Sequence, residues 1–290
     1  MLRLTALYLY PVKSCRELAV TSAAVDAHGL IGDRRFLVVD AEGRFLTQRA
    51  HPRMALIETT LASDALTLSS PQHGSVSVPL ASNLRPQACA PRSVAIWKDT
   101  VIADDCGDEP AAWLSAFLGL PCRLVHAGAA YSRPLPGRKL PSTFDVRLST
   151  RHEVSFADGY PFLVLAEESL ADLNARLDVP LPMNRFRPNL VVAGAAPYAE
   201  DTWGRFRIGG VMFHGATRCG RCIVTTTDQV TATRAKEPLR TLASYRRDAN
   251  GDVMFGRNLV HETKAGRLAV GDAVELLPEL TNPPRPGARA

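Results

Sequence analysis

The apolar residues of this chain come in short runs that stop at glycine or proline, and runs of that length build strands rather than long helices. Leu4 to Tyr10 is closed by Pro11. Phe36 to Asp40 and Arg44 to Thr47 flank Ala41-Glu42-Gly43, which reads as a hairpin with a glycine-bearing loop. Ala55 to Thr60, Leu66 to Leu68, Val76 to Val78, Phe162 to Leu165 and Asn189 to Gly194 read as further strands. Phe206 to Phe213 reads as a hairpin turning at Gly209-Gly210, and strands are also expected after Cys222 and within Val270 to Leu277. Two helices stand out. One starts at Asp108 as N-cap, carries Trp113, Leu114, Phe117 and Leu118, and ends at Gly119; the other covers Glu167 to Leu177, with Leu170, Leu173 and Leu177 on one face. Many short strands with few helices predict a β-rich α+β protein built on barrels, not a doubly wound sheet. Ala127 to Pro141, rich in Gly, Pro, Arg and Ala without periodicity, reads as a linker near a domain boundary.

A chain of 290 residues is one large domain or two medium ones. Its apolar fraction of 46% and charged fraction of 22% are those of a soluble globular protein. The net charge of +5 permits an anionic ligand or an acidic protein partner, whereas the chain has no lysine tract or aromatic-basic repeat that would argue for nucleic acid. The six cysteines are too few and scattered for a disulfide framework. No run is apolar enough for a secretory signal or a bilayer span, so a cytoplasmic protein with no membrane partner is expected. Thr281 to Ala290, with three prolines, reads as a frayed tail.

Chemistry concentrates in Thr217 to Asp228, where Cys219 and Cys222 are framed by Arg218 and Arg221 and lead into a β-branched stretch. A thiolate beside guanidinium groups is a soft metal ligand. The chain has no second C-x-x-C or H-x-x-H pair, which argues against a closed zinc site. The pattern points instead to a metal held by one protein sulfur and a large anionic ligand. Asp228 reads either as a group that orients substrate and relays protons or as a turn former. Cys219 reads as a second redox thiol or as a supporting residue.

Several segments together carry a resemblance: Tyr10-Pro11-Val12-Lys13-Ser14-Cys15-Arg16, Gly32-Asp33-Arg34-Arg35-Phe36, Phe156 to Pro161, Asn184-Arg185-Phe186-Arg187-Pro188-Asn189, Cys219 to Asp228, Lys236-Glu237-Pro238-Leu239 and Phe255-Gly256-Arg257-Asn258-Leu259. In this order they resemble MOSC-domain proteins that carry an N-terminal MOSC β-barrel domain, such as the bacterial YcbX-like reductases and the mitochondrial amidoxime reducing components. The resemblance implies an N-terminal barrel domain over residues 1–122, a MOSC β-barrel over 123–279 and a disordered tail over 280–290. It implies a molybdenum cofactor with Cys222 as metal ligand and catalytic residue, attended by Arg218 and Arg221, and with Asp228 as the second catalytic candidate. The cofactor-binding set it implies is Lys13, Ser14, Arg34, Gly159, Tyr160, Arg187, Asn189, Gly220, Arg221 and Asn258. Taken singly, Arg34 and Arg187 read first as surface ion pairs, and Asn258 reads equally as a turn residue. The implied reaction is reduction of N-hydroxylated compounds: amidoximes, hydroxylamines and N-hydroxylated bases. The chain carries no iron–sulfur or flavin motif, so a separate ferredoxin-like or flavoprotein donor is expected. The alternative is a sulfur- or cofactor-carrier module using Cys222. One departure from the pattern is Glu17, where many relatives have glycine.

Overall fold

Strand pairing ties the start of the chain to its end. The structure, a computed structural model, describes residues 1–81, 85–86, 90–135 and 152–278. An eight-stranded sheet runs in the order Val274–Leu277, Arg205–Ile208, Val211–Gly220, Met254–His261, Phe162–Ala166, Leu190–Ala193, Arg3–Leu9, Leu18–Val20. It closes on itself because Arg3 bridges Ala273, with Leu4 N–H donating to Asp272 O at 2.9 Å and Val274 N–H to Leu2 O at 3.0 Å. Closure removes the free edges an open sheet would expose. The barrel interior gathers Leu4, Leu7, Phe162, Val164, Leu190, Val192, Phe206, Phe213 and Leu259. Each such side chain, fully buried, stabilises the fold by roughly 1.5–3 kcal/mol.

The division expected at residue 122 is therefore one of sequence, and hydrogen bonding crosses it. Arg3–Leu9 and Ser22–Asp26 both pair with strands of the second half, the latter with Gly266–Ala269. The strands between residues 36 and 126 form two four-stranded sheets. One is Ala90–Ile96, Asp99–Asp105, Cys122–His126, Phe36–Asp40; the other is Glu58–Leu61, Ala65–Ser70, Gly74–Ala81, Arg85–Pro86. Phe36–Asp40 is buried on both faces: Phe36 and Val38 join the core with Leu66, Leu68, Val76 and Leu114, while Leu37 and Val39 join that with Val94, Ala103 and Phe156. That double burial explains its unbroken apolar run.

Some local expectations shift. The first helix is Asp108–Leu118 with Gly119 left-handed at its end, but its N-cap is Gly107 and Asp108 is already helical. Asp105 accepts the Gly107 N–H at 2.9 Å and fixes the entry to the helix, whose first turn has no side-chain cap. The second helix stops at Asn174 rather than Leu177, because the Asn174 amide exchanges two hydrogen bonds with the Leu181 backbone, at 2.9 and 3.0 Å. Arg44 to Thr47 is no continuous strand; Phe45 bridges Val39 while Arg44 bridges Ala95. The stretch after Cys222 is a 3-10 turn, Ile223–Thr226, not a strand. The Thr225 and Thr226 hydroxyls donate to the carbonyls of Cys222 and Ile223, three residues back, at 3.0 and 2.8 Å, and those local bonds replace a ladder. Residues 136–141 of the expected linker, Cys89 and the expected tail at 280–290 lie outside the described residues. No helix among the described residues is long and apolar enough to cross a membrane.

Candidate functional site

A cleft enclosing about 840 Å³, part of it open to solvent, lies where loops of both halves meet. Its wall is built from Lys13 and Ser14 after the first strand, Arg34 before Phe36–Asp40, Arg49, the loop 157–160, Arg187 and Asn189, the segment Cys219–Cys222, and Asn258.

One side is cationic and preformed. Tyr10 is fully buried and its hydroxyl donates to Pro188 O at 3.0 Å. The Arg34 and Arg187 guanidiniums lie over its ring, 4.3 and 4.2 Å from the centroid. Burial pushes the Tyr10 phenol well above the ordinary tyrosine range, with both arginines opposing, so it serves as a neutral platform. Arg34 Nη1 also donates to Asn189 Oδ1 at 2.9 Å and pairs with Asp33 at 2.6 Å. Asn189 in turn donates to Tyr8 O at 3.2 Å and accepts from Leu163 N–H at 3.3 Å. That amide is spent on holding Arg34 and the adjoining strands. Arg187 differs: its Nη1 is buried without a hydrogen-bond partner. Burial, reinforced by Arg34, lowers its pKa from the ordinary arginine value. A buried donor with no acceptor costs about 1–3 kcal/mol, more when charged, and such groups are rare.

The backbone shares in this. Ser14, Arg34 and Arg187 all adopt left-handed conformations, at φ 69°, 48° and 55°. Non-glycine residues there cost on the order of 1–3 kcal/mol each and persist where surroundings over-determine them. Lys13 is buried and paired with Asp158, which also meets Arg49 at 3.4 Å. Burial pushes the Lys13 ammonium down to about 8 despite Asp158. Burial raises and Lys13 more than offsets it for Asp158, whose carboxyl ends well below the usual range. Arg133 fixes this loop from behind, donating to Ala157 O at 2.5 Å and Ser155 O at 3.3 Å.

The other side carries sulfur. Cys219 and Cys222 are both half-buried free thiols in the cleft wall. Arg221 Nη1 lies 3.0 Å from Cys219 Sγ and its Nη2 donates to Phe186 O at 2.6 Å. The guanidinium expected beside Cys222 thus attends Cys219, and Arg221 Nε is buried without a partner. Arg218, expected there too, is exposed opposite Arg257 in the strand register and does not line the cleft. Among the described residues no three His, Cys, Asp or Glu side chains converge as a metal cage.

The structure brings together Lys13, Ser14, Arg34, Gly159, Tyr160, Arg187, Asn189, Gly220, Arg221, Cys222 and Asn258. Asp228 stands apart. Its Oδ1 accepts the N–H groups of Val230 and Thr231, both at 2.9 Å, and its Oδ2 meets buried Arg185 at 3.0 Å. Burial raises its pKa, but those N–H groups and Arg185 outweigh it and hold the carboxyl below its ordinary value. It shapes the loop after the 3-10 turn. Arg49, Asp158 and Arg133 were missed by sequence reasoning, although Asp158 lies within a segment that carried the resemblance. Arg133 gave no signal because it sits in an aperiodic, proline-rich stretch.

Comparison with known families decides the assignment. Residues 1–121 match the MOSC N-terminal beta barrel domain and residues 151–275 match the MOSC domain. The chain belongs to the MOSC family, in its two-domain form. This MOSC protein is 37% identical to mitochondrial amidoxime-reducing component 1 of Mus musculus, over 93% of its own length and 81% of the relative's. The Homo sapiens protein of that name is likewise 37% identical, with 93% and 82% covered. A molybdenum cofactor sulfurase of Danio rerio is 34% identical over 90% of this chain, which spans 32% of that longer protein. The donor set suits a phosphate-bearing ligand with a soft metal: unpartnered N–H groups on Arg187 and Arg221, with a lysine, a further arginine and two thiols lining the same cleft.

Proposed function

We propose that this MOSC protein binds a molybdenum cofactor in the cleft and reduces N-hydroxylated compounds with electrons from a separate donor protein. The observation that carries the reading is that Cys222 shares one cleft with Lys13, Arg34, Arg187 and Arg221, supplied by both halves of the chain. The names of two relatives 37% identical to this chain, amidoxime-reducing components, support the substrate class. Arg187, through its unpartnered Nη1, and Arg34 hold the terminal phosphate; Ser14 and Gly159 border it, and Tyr160 and Asn258 line the path toward the sulfurs. Cys222 is the metal ligand. The bound cofactor supplies a two-electron centre. The overall reaction breaks an N–O bond, forms an N–H bond and releases water, consuming two electrons and two protons. Apolar Phe186 and Val224 exclude water from part of the wall. The chain contributes no second redox motif, so the electrons come from an acidic ferredoxin-like or flavoprotein partner in the cytoplasm.

Metal analysis of the purified chain, with pterin fluorescence after oxidation, tests the first half of this reading. One molybdenum and one pterin per chain are expected, with amidoxime reduction by a low-potential chemical reductant. Full loading without reduction by any donor would favour a cofactor-carrier role, the reading that similarity to a sulfurase supports. Absence of pterin would overturn both.

A further inference from the structure

Two buried glutamines join the halves of the cleft without lining it. Gln48 and Gln229, 181 residues apart in sequence, face each other with both amides reciprocated: Gln48 Nε2 donates to Gln229 Oε1 at 3.1 Å, and Gln229 Nε2 to Gln48 Oε1 at 3.2 Å. Each amide spends its other N–H on a backbone carbonyl. Gln48 donates to Ser14 O at 2.8 Å, and Gln229 to Thr227 O at 3.0 Å. Ser14 is the left-handed residue on the cationic side. Thr227 ends the 3-10 turn that begins at Cys222.

The surrounding bonds reinforce the same seam. Arg16 Nη2 donates to Gln229 O at 2.7 Å. Arg234 Nη2 donates to the carbonyls of Gln48 and Arg49, the latter at 2.7 Å. Both glutamines are essentially inaccessible, at 0% and 2% exposure. Two apolar side chains would fill such a seam as well as two amides do. What amides add is direction. Turning either one over would set its oxygen against the Ser14 or Thr227 carbonyl, so the pair accepts one relative placement of the two backbones.

We propose that Gln48 and Gln229 are positioning residues that fix the distance and register between the anion-holding turn at Ser14 and the sulfur-bearing turn at Cys222. The pair acts through those backbones and touches no reacting atom. The inference rests on the functional reading above only for the identity of the ligand; the register it describes is a property of the chain itself.

The test uses Gln48→Leu, Gln229→Leu and the double variant of the full chain. Each single variant strands the opposite amide in a buried seam and should lower the melting temperature by several degrees. The double variant leaves no stranded amide but deprives the Ser14 and Thr227 carbonyls of these donors, so its loss should be smaller than the sum of the two single losses. Cleft register is read separately, by calorimetric binding of inorganic pyrophosphate to cofactor-free protein and by pterin content of protein as purified. If the pair positions the cleft, the double variant loses less stability than the two singles summed, yet binds pyrophosphate about ten-fold more weakly and retains less than about half the wild-type pterin. A double variant with wild-type pyrophosphate affinity overturns the proposal, since the pair would then serve the fold alone. Losses in melting temperature that simply add would overturn the claim that the two amides act as one unit. Wild-type protein that binds pyrophosphate but carries no pterin would overturn the cofactor reading and leave the register result standing; failure of wild type to bind pyrophosphate would overturn the anion-holding role of the Ser14 turn and this proposal with it.

Discussion

The two sides of the cleft are built to different standards. The cationic side is closed: Lys13 is 6% exposed and Asn189 1%, and three of its residues are held in left-handed conformations by the bonds around them. The sulfur side is open: Cys219 and Cys222 are half-buried, and Ile223 beside them is 45% exposed. Free energy invested in folding the first side is already spent before any ligand arrives, which is what preorganised binding requires. The second side leaves its sulfur atoms partly exposed to solvent. On the proposed function, holding falls to the first side and reacting to the second.

The hardest test of that division is at the sulfurs. Cys222→Ser should lose molybdenum and lower turnover by on the order of 10²-fold or more, since even partners one layer outside a metal's ligands are worth about 10–100-fold. Cys219→Ser should keep substantial activity. Equal losses in the two would erase the distinction between them. On the other wall, Arg187→Gly removes a charge-assisted contact worth about 1.5–3 kcal/mol, so pterin retention should fall roughly 10–100-fold. The melting temperature should hold or rise, because glycine accepts φ 55° and an unpartnered buried donor disappears. A large fall in melting temperature with full pterin would make Arg187 a structural residue instead.

A pH series sharpens the comparison further. Burial depresses Lys13 and Lys264, each to about 8 from 10.5. Between pH 8 and 10 the unfolded chain binds more protons at these sites than the fold does, so their contribution to stability grows as pH rises, by about 2 kcal/mol each, and is lost as pH falls through 8. Anion affinity should move the other way, because Lys13 is an ammonium only below about pH 8. Pyrophosphate affinity and urea stability that fall together across this window would refute the placement of Lys13. The smallest effect is expected at Asp228. Asp228→Asn keeps the acceptor for Val230 and Thr231 and loses only the charge on Arg185, so turnover should fall by a factor of a few, about 1 kcal/mol. A hundred-fold loss would restore Asp228 to the chemistry.

The ring of the cleft was legible through the family resemblance, which short turn segments carry, as in Lys13-Ser14 after Pro11 and Arg187 before Pro188. Turns of that kind announce themselves locally. What stayed hidden depends on partners distant in sequence. Gln48 and Gln229 are unremarkable polar residues until the fold sets them face to face. Arg221 was expected on the nearer-seeming sulfur, but the direction of its side chain follows from the end of the strand Val211–Gly220 and from Phe186 O. The 3-10 turn after Cys222 misled because β-branched threonine favours strands on average, whereas here its hydroxyl bonds decide. Gly215 shows the same dependence: a Cβ there would stand 1.9 Å from Trp203 O, a constraint nothing nearby in sequence reveals.

Pairing of Arg3–Leu9 with Leu190–Ala193, and the bridge from Arg3 to Ala273, also set a timetable. That strand can pair with Leu18–Val20 at once, but its pairing with Leu190–Ala193 and its bridge to Ala273 wait until residues near 190 and then 273 have followed. At about 5–20 residues per second that is a wait of roughly ten to fifty seconds. Throughout it Leu4, Leu7 and Leu9, side chains destined for the barrel core, lack the partners that later strands supply, among them Phe162, Leu190, Phe206 and Leu259. Biosynthesis of this protein therefore leans on whatever shields a nascent apolar strand, and its two sequence halves are not interchangeable cassettes: a graft taken at residue 122 would carry away a stave of the other half's barrel.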